Sequence, residues 1–148
     1  KKFLLLNNEP KFEVKRMKVD VEAEKKKIRE LNIKLLVDHN RDVDDELSYF
    51  VDNAILMPPN APPIIGVKAI RPIIEGMIKN KINLGTPKGP DWIVVSESGD
   101  LAFDFGKYSV KTQRPDGLVT EKGYYISLYK KIDGQWKFAG QSWSNLHL

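Results

Sequence analysis

The sequence predicts an α+β domain, with helices gathered in its first half and an antiparallel meander in its second. Three observations predict it. Apolar residues recur at three- and four-residue steps up to about residue 80, and beyond that two-residue alternation punctuated by turn residues takes over. Asp133-Gly134 separates two alternating runs, and this pair tolerates the φ > 0 that a two-residue hairpin turn requires. Pro58-Pro59 and Pro62-Pro63 confine the single strand-like run of the first half to a short piece. Helices that precede a contiguous sheet must pack on one of its faces. A chain of 148 residues suffices for one real core, and neither repeats nor a shift in composition mark a second domain.

In chain order, residues 1–19 lack periodicity and read as an arm. Residues 21–40 carry a stripe of Ile28, Leu31, Leu35 and Leu36, with Asp20 as N-cap and Glu22 and Glu24 at the favourable positive end. Asp42 caps a second, short helix running to about residue 50, and a strand over 54–57 stops at the prolines. Gly66 opens a third helix over 67–80, with Ile70, Ile73, Ile74 and Met77 inward and Pro72 in its early turns. Strands are then expected over 81–86, 92–97 and 101–111. Ser98-Gly99-Asp100 forms a tight turn, and 114–121 a longer hairpin loop around Pro115-Asp116-Gly117. Residues 123–145 close the chain as the Asp133-Gly134 hairpin.

Composition excludes several classes of function. There is no cysteine, which removes disulfides, thiol nucleophiles and cysteine metal sites. The two histidines, His39 and His147, are too far apart in sequence to suggest a metal cluster, and no metal is expected. Residues 1–34 hold 11 Lys/Arg against 6 Asp/Glu and the remainder 13 against 14, so the net charge of +4 belongs to the arm and first helix. Lys25-Lys26-Lys27 carries no interleaved aromatics and reads as a solvated helix face, not a nucleic-acid site. No apolar run is long enough to cross a membrane. The opening KKFLLL reads equally as the remnant of a secretion signal and as an ordinary arm, so localisation, exported or cytoplasmic, is open.

With a two-residue turn, Ile132 pairs with Gln135, and Tyr129 faces Phe138, Ile126 faces Gln141 and Tyr124 faces Trp143. One face then carries Tyr124, Ile126, Gln141 and Trp143, and the other Tyr125, Tyr129, Trp136 and Phe138. Both faces hold aromatics, so the hairpin is expected to be covered twice. A one-residue slip or bulge would exchange the faces.

These residues carry a resemblance. The run from Phe50 through Met57-Pro58-Pro59-Asn60, followed by Gly66-Val67-Lys68-Ala69-Ile70, resembles the helix-two, strand and helix-three signature of SnoaL-like domains. Ser98-Gly99-Asp100-Leu101-Ala102 with Gly106, and Asp133-Gly134-Gln135-Trp136-Lys137-Phe138 through Trp143, resemble that family's later strands. The match spans about residues 21–145. The family falls in the nuclear-transport-factor-2-like superfamily, alongside ketosteroid isomerases. The resemblance implies a curved antiparallel sheet wrapped over three N-terminal helices into a cone, with residues 20–148 forming the domain. It also implies a pocket on one sheet face and a second subunit on the other. By that analogy the pocket set is Tyr49, Met57, Trp92, Tyr124, Ile126, Gln141 and Trp143, and the dimer face is Tyr125, Tyr129, Trp136 and Phe138.

The chemistry that the resemblance would bring is only partly present. The place of the ketosteroid isomerase base resembles Pro58, beside Met57, and neither moves a proton. The place of the SnoaL acid/base resembles Gln141, an amide that can orient a carbonyl or hydroxyl without exchanging protons. His39 reads as a helix C-terminal histidine more readily than as the histidine of a dehydratase. Asp104 remains as a catalytic candidate. Alternation groups it with Ala102, Gly106 and Tyr108, and leaves open whether that set faces inward, where burial would raise its pKa, or outward at a rim or interface. The expectation is therefore a homodimeric domain that binds a small hydrophobic or aromatic molecule without a cofactor and without catalysis. The alternative is a cofactor-independent isomerase, cyclase or dehydratase working through Asp104.

Overall fold

The computed structural model describes residues 18–37, 41–82 and 85–146. Most of the arm, KKFLLL, His39 and His147 lie outside the described residues.

Helix α1 spans Val21–Leu36, and its N-cap Asp20 accepts a hydrogen bond from the Ala23 N–H at 3.1 Å. The helix ends at Leu36, short of the expected residue 40. Its buried stripe is Glu24, Ile28, Leu31, Asn32, Leu35 and Leu36, so two polar residues sit among the aliphatic ones. Helix α2, Val43–Ser48, starts from Asp42, whose carboxylate accepts from the Asp45 N–H at 2.8 Å. Strand β1, Phe50–Met57, begins four residues earlier than expected, because Phe50 and Val51 are buried in the sheet and not on a helix. A two-residue strand β2, Ile64–Ile65, folds back on β1. Helix α3, Val67–Lys79, follows Gly66, whose φ of 87° suits glycine.

The expected strand over 81–86 is not formed among the described residues. Lys81 has φ 50° and the Ile82 N–H bonds back to the Met77 carbonyl at 3.0 Å, so the chain leaves α3 through a cap. Strands β3 (Trp92–Val95), β4 (Leu101–Arg114), β5 (Gly117–Ile132) and β6 (Gln135–Asn145) form the meander. The expected loop over 114–121 is instead a two-residue turn, with Arg114 paired to Gly117, so β4 and β5 run on as a ribbon past the end of β6.

The sheet order is β2-β1-β6-β5-β4-β3. All pairs are antiparallel except β1 with β6, which corrects the expectation of a purely antiparallel sheet. The curved sheet covers the three helices in an α+β arrangement. One main core forms between sheet and helices, and a smaller cluster of Leu36, Tyr108 and Tyr125 lies beside it.

The hairpin register holds for its first four pairs and then shifts. Asp133 and Gly134 have φ of 49° and 78°, as the turn requires, and Ile132 pairs with Gln135 through to Tyr129 with Phe138. Leu128 then pairs with Gly140, leaving Ala139 as a β-bulge, and Tyr125 pairs with Trp143. The bulge sits where β1 joins: a Cβ at Gly140 would lie 3.0 Å from the Ile55 carbonyl oxygen, so glycine lets the parallel strand approach. Past the bulge every β6 side chain changes face. Gln141 and Trp143 therefore join Tyr125, Tyr129, Trp136 and Phe138 beneath the helices, and Tyr124 and Ile126 turn outward.

This corrects the dimer-face expectation. Tyr125, Tyr129, Trp136 and Phe138 are all buried in the core and are not available to a partner. The outer face is built from other apolar residues. Trp92, Phe105 and Ile126 line up across β3, β4 and β5, next to a row of Val94, Phe103 and Leu128. Trp92 is 64% exposed, Leu128 48% and Ile126 41%.

Candidate functional site

Four elements carry a buried polar group into the middle of the fold. Asn32 comes from α1, Asp104 from β4, Tyr125, Ser127 and Tyr129 from β5, and Gln141 from β6. Alternation along β5 puts its three polar side chains on the helix-facing side, and Asp104 lies directly across from Ser127. Glycine makes the room. A Cβ at Gly106 would collide with the Tyr125 ring, and one at Gly123 with Tyr108 and the Ser144 carbonyl. Each tyrosine thus lies over the glycine paired with it across the strands.

Asp104 is fully buried, so of the two orientations that alternation left open it takes the inward one. Its Oδ2 accepts from Asn32 Nδ2 at 2.8 Å and from the Tyr129 hydroxyl at 2.6 Å. Its Oδ1 has no partner at normal hydrogen-bond geometry, although Ser127 across the strand pair favours the charged form. Burial pushes the Asp104 carboxyl up to about 6, against the hydrogen bonds of Tyr129, Ser127 and Asn32, which favour ionisation. No cation is among the causes of that shift. Asn32 Nδ2 also reaches the Tyr125 hydroxyl at 3.2 Å. Burial first, and then the nearby Asp104 charge, raise both tyrosines well above their ordinary value, so both remain protonated donors.

The cavity lies to one side of this group. It has a volume of about 80 Å³ and is walled by aliphatic residues of α1 and α3, among them Leu35, Ile74 and Met77. Phe50 and Phe138 close it from the sheet, and Glu46, Gln141 and Trp143 complete it. A space of about 10 Å³ between Tyr108, Tyr125, Gln141 and Trp143 adjoins Gln141 from the other side. Asp104 lines neither. Gln141 connects the two regions, because its Nε2 donates to Ser127 Oγ at 3.1 Å.

Of the pocket residues expected from sequence, Gln141 and Trp143 line this cavity. Tyr49 packs against the core edge, where it receives a hydrogen bond from Lys34. Met57, Trp92 and Ile126 are exposed on the outer side of the sheet, and half-buried Tyr124 stacks on Phe105 there with ring centroids 5.6 Å apart. These four line no part of the cavity, since three belong to the face away from the helices and the bulge leaves Tyr124 with them. Sequence reasoning missed Glu46, an acid in the first turn of α2. It is buried, and its carboxylate pairs with Arg41 Nη2 at 2.7 Å. The available signal was its place one residue before Leu47 on so short a helix, which alone does not mark a cavity wall. Among the described residues no group of three or more His, Asp or Glu is arranged to hold a metal ion, and no helix is long and apolar enough to cross a membrane.

No protein-family model matches the sequence, and no curated protein matches it by sequence. Similarity appears in three dimensions. An NTF2-like superfamily protein from Salmonella enterica serovar Typhimurium superposes with a TM-score of 0.68 at 18% identity, covering 86% of this chain and 94% of the other. An NTF2-like protein with a cystatin-like fold from Novosphingobium aromaticivorans gives 0.67 at 15%, covering 84% and 83%. A ketosteroid isomerase-like protein from Erwinia carotovora atroseptica gives 0.60 at 17%, covering 86% and 95%. At such identities the likeness speaks to the fold alone. The three helices, the curved mixed sheet and these superpositions together give this chain the fold of the nuclear-transport-factor-2-like proteins.

Proposed function

We infer that the chain is a non-catalytic small-molecule-binding domain that works as a homodimer. The observation that carries the binding reading is the cavity wall. It is apolar apart from Glu46 and Gln141, and Asp104, whose carboxyl burial pushes up to about 6, is not on it. The dimer reading rests on the outer sheet face, where Trp92, Phe103, Phe105, Ile126 and Leu128 form an apolar surface larger than scattered exposed residues explain. A self-complementary pairing of two such faces buries it in both copies.

Filling the cavity tests the first part. Ile74→Phe is expected to abolish binding of small apolar molecules while the protein still unfolds cooperatively. Unchanged binding in that variant sinks the reading. For the second part, Ile126→Glu should convert a dimer into a monomer in sedimentation velocity at micromolar concentration. A wild-type protein that is already monomeric there removes the homodimer.

One observation favours an enzyme instead. A carboxyl poised near pH 6 beside two protonated tyrosine hydroxyls is suited to moving a proton at a carbonyl or hydroxyl carbon. On that reading the domain is a cofactor-independent isomerase, cyclase or dehydratase, and substrate must reach Asp104 past Gln141. Turnover that falls at least about 100-fold in Asp104→Asn would establish it over the binding reading.

A further inference from the structure

We propose that a hollow at the base of the β4–β5 ribbon binds a small aromatic anion, a ring carrying a carboxylate or phosphate group. The anion lies between Lys107 and Lys122, and the ring against Tyr124. This site is separate from the inner cavity, with which it shares no lining residue.

Strand pairing brings the two lysines together. Lys107 pairs with Tyr124 and Ser109 with Lys122, so the four side chains take adjoining positions on the sheet face away from the helices. The lysines are diagonal neighbours there, and both are exposed. Alternation puts no carboxylate of β4 or β5 on this face. Glu121 turns the other way, towards Tyr108, and is bonded to Arg114. Among the described residues no carboxylate pairs with either lysine. Like charges at neighbouring positions on a sheet repel, and an anion between them removes that cost. Lysine commonly guards an exposed sheet edge, which accounts for Lys107, since β3 pairs with β4 only as far as Phe105. It does not account for Lys122. That residue has β4 on one side, and on the other its carbonyl accepts from the Leu146 N–H at 2.7 Å.

The wall of the hollow sets the chemistry. Thr86, from the loop ahead of β3, and Leu146, just past β6, complete it around Lys107, Ser109, Lys122 and Tyr124. Thr86 Oγ1 directs its proton to the Gly89 carbonyl at 3.1 Å. The Ser109 and Tyr124 hydroxyls are bonded to no described residue, so both can donate to a ligand. Two ammonium groups and two hydroxyl protons thus meet an occupant, and no carboxylate is on the wall among the described residues. Such a wall favours an anion and opposes a cation. The aromatic part follows from Tyr124, which Phe105 holds in place by stacking on it with ring centroids 5.6 Å apart. Volume sets the size. The hollow measures about 260 Å³, against the roughly 150 Å³ that accepts benzene, so it takes about ten heavy atoms.

The test uses the full chain at low ionic strength, with binding read from the backbone amide resonances of Lys107, Lys122 and Tyr124. The probes are phenylacetate, phenyl phosphate, 2-phenylethanol, 2-phenylethylamine and inorganic phosphate. Phenylacetate or phenyl phosphate is expected to bind at least ~10-fold more tightly than the alcohol or the amine, and the tighter anion identifies the head group. Lys122→Gln should weaken that anion ~10-fold. Lys130→Gln, which changes an exposed lysine of the same face outside the hollow, should leave its binding unchanged. Tyr124→Leu should remove the advantage of phenyl phosphate over inorganic phosphate. If the alcohol or the amine binds as tightly as both anions, the hollow does not select anions and the proposal is wrong. Equal losses in Lys122→Gln and Lys130→Gln would reduce it to attraction by the whole face and overturn it, as would the absence of any shift. Inorganic phosphate binding as tightly as phenyl phosphate would overturn the aromatic part.

Discussion

Two buried carboxylates face the same sheet from opposite electrostatic circumstances. Glu24 lies on the buried stripe of α1, where it accepts from Trp136 Nε1 at 2.5 Å, Lys131 Nζ at 2.8 Å and Lys27 Nζ at 2.9 Å. Asp104 lies further along the fold, against Asn32, two turns on in the same stripe, and against tyrosine and serine hydroxyls. Burial raises the pKa of both. At Glu24 the hydrogen bonds from Lys131, Lys27 and Trp136 outweigh it and hold the carboxyl at about 2, whereas at Asp104 neutral donors do not, and the carboxyl rises to about 6. The first group clamps α1 to the β5–β6 hairpin. The second is a group whose ionisation burial opposes, so its charge comes at a cost to the fold.

The comparison can be broken most forcefully at Asp104. The unfolded chain releases this proton near 3.8 and the folded chain near 6, so the burial cost is absent below 3.8 and grows as pH rises through 6, to about 3 kcal/mol. Asp104→Asn should therefore raise stability by about 2 kcal/mol at pH 8 and leave it unchanged at pH 4, measured by urea denaturation. A loss at pH 8 would mean that the carboxylate is a structural acceptor after all.

Glu24 has the opposite sign. Its contribution is complete above its ordinary 4.5 and disappears as pH falls through about 2. Because solvent screens part of the cluster at the sheet rim, Glu24→Gln is expected to cost about 1–2 kcal/mol at pH 7 and nothing at pH 2. Counting these two groups, stability peaks near pH 4 and not at neutrality. A curve that rises steadily from pH 4 to 8 would contradict the assignment of Asp104.

The smallest effect sharpens the comparison within the Asp104 group. Tyr129→Phe removes one of two donors to Oδ2, should cost about 1 kcal/mol and should move the carboxyl above 6 in an NMR titration. Tyr125→Phe removes a contact to Asn32 and no hydrogen bond to the carboxylate, so the Asp104 titration should move less. Equal shifts in both variants would show that the tyrosines act through their bulk around the carboxyl and not through the hydrogen bond.

Much of the fold was legible because its signals are local. Asp20 and Asp42 cap their helices through side chains that reach only three residues ahead, and Asp133-Gly134 turns the chain with its own φ angles. Asp104, Gln141 and Trp143 could be singled out because strand alternation and the resemblance both act on short stretches. The boundaries that failed depend on distant partners. Phe50 begins a strand because β6 lies alongside it, and the Pro115-Asp116 turn is tight because fourteen residue pairs behind it keep register from Leu101 with Lys130 to Arg114 with Gly117.

The site was less legible, and one residue explains most of that. Ala139 bulges where β1 enters beside β6, and this changes the face of Gln141 and Trp143 while leaving Tyr125, Tyr129, Trp136 and Phe138 inside. By itself the sequence determined the order of elements, their caps and turns, and the two-face alternation of each strand, since these follow from backbone geometry within a few residues. Only the tertiary structure decided which faces meet. The parallel β1–β6 pairing, the glycine that admits it, the Glu46 wall and the company of each buried carboxylate all join residues far apart in the chain. A period-2 pattern carries no record of a bulge imposed by a strand some eighty residues away.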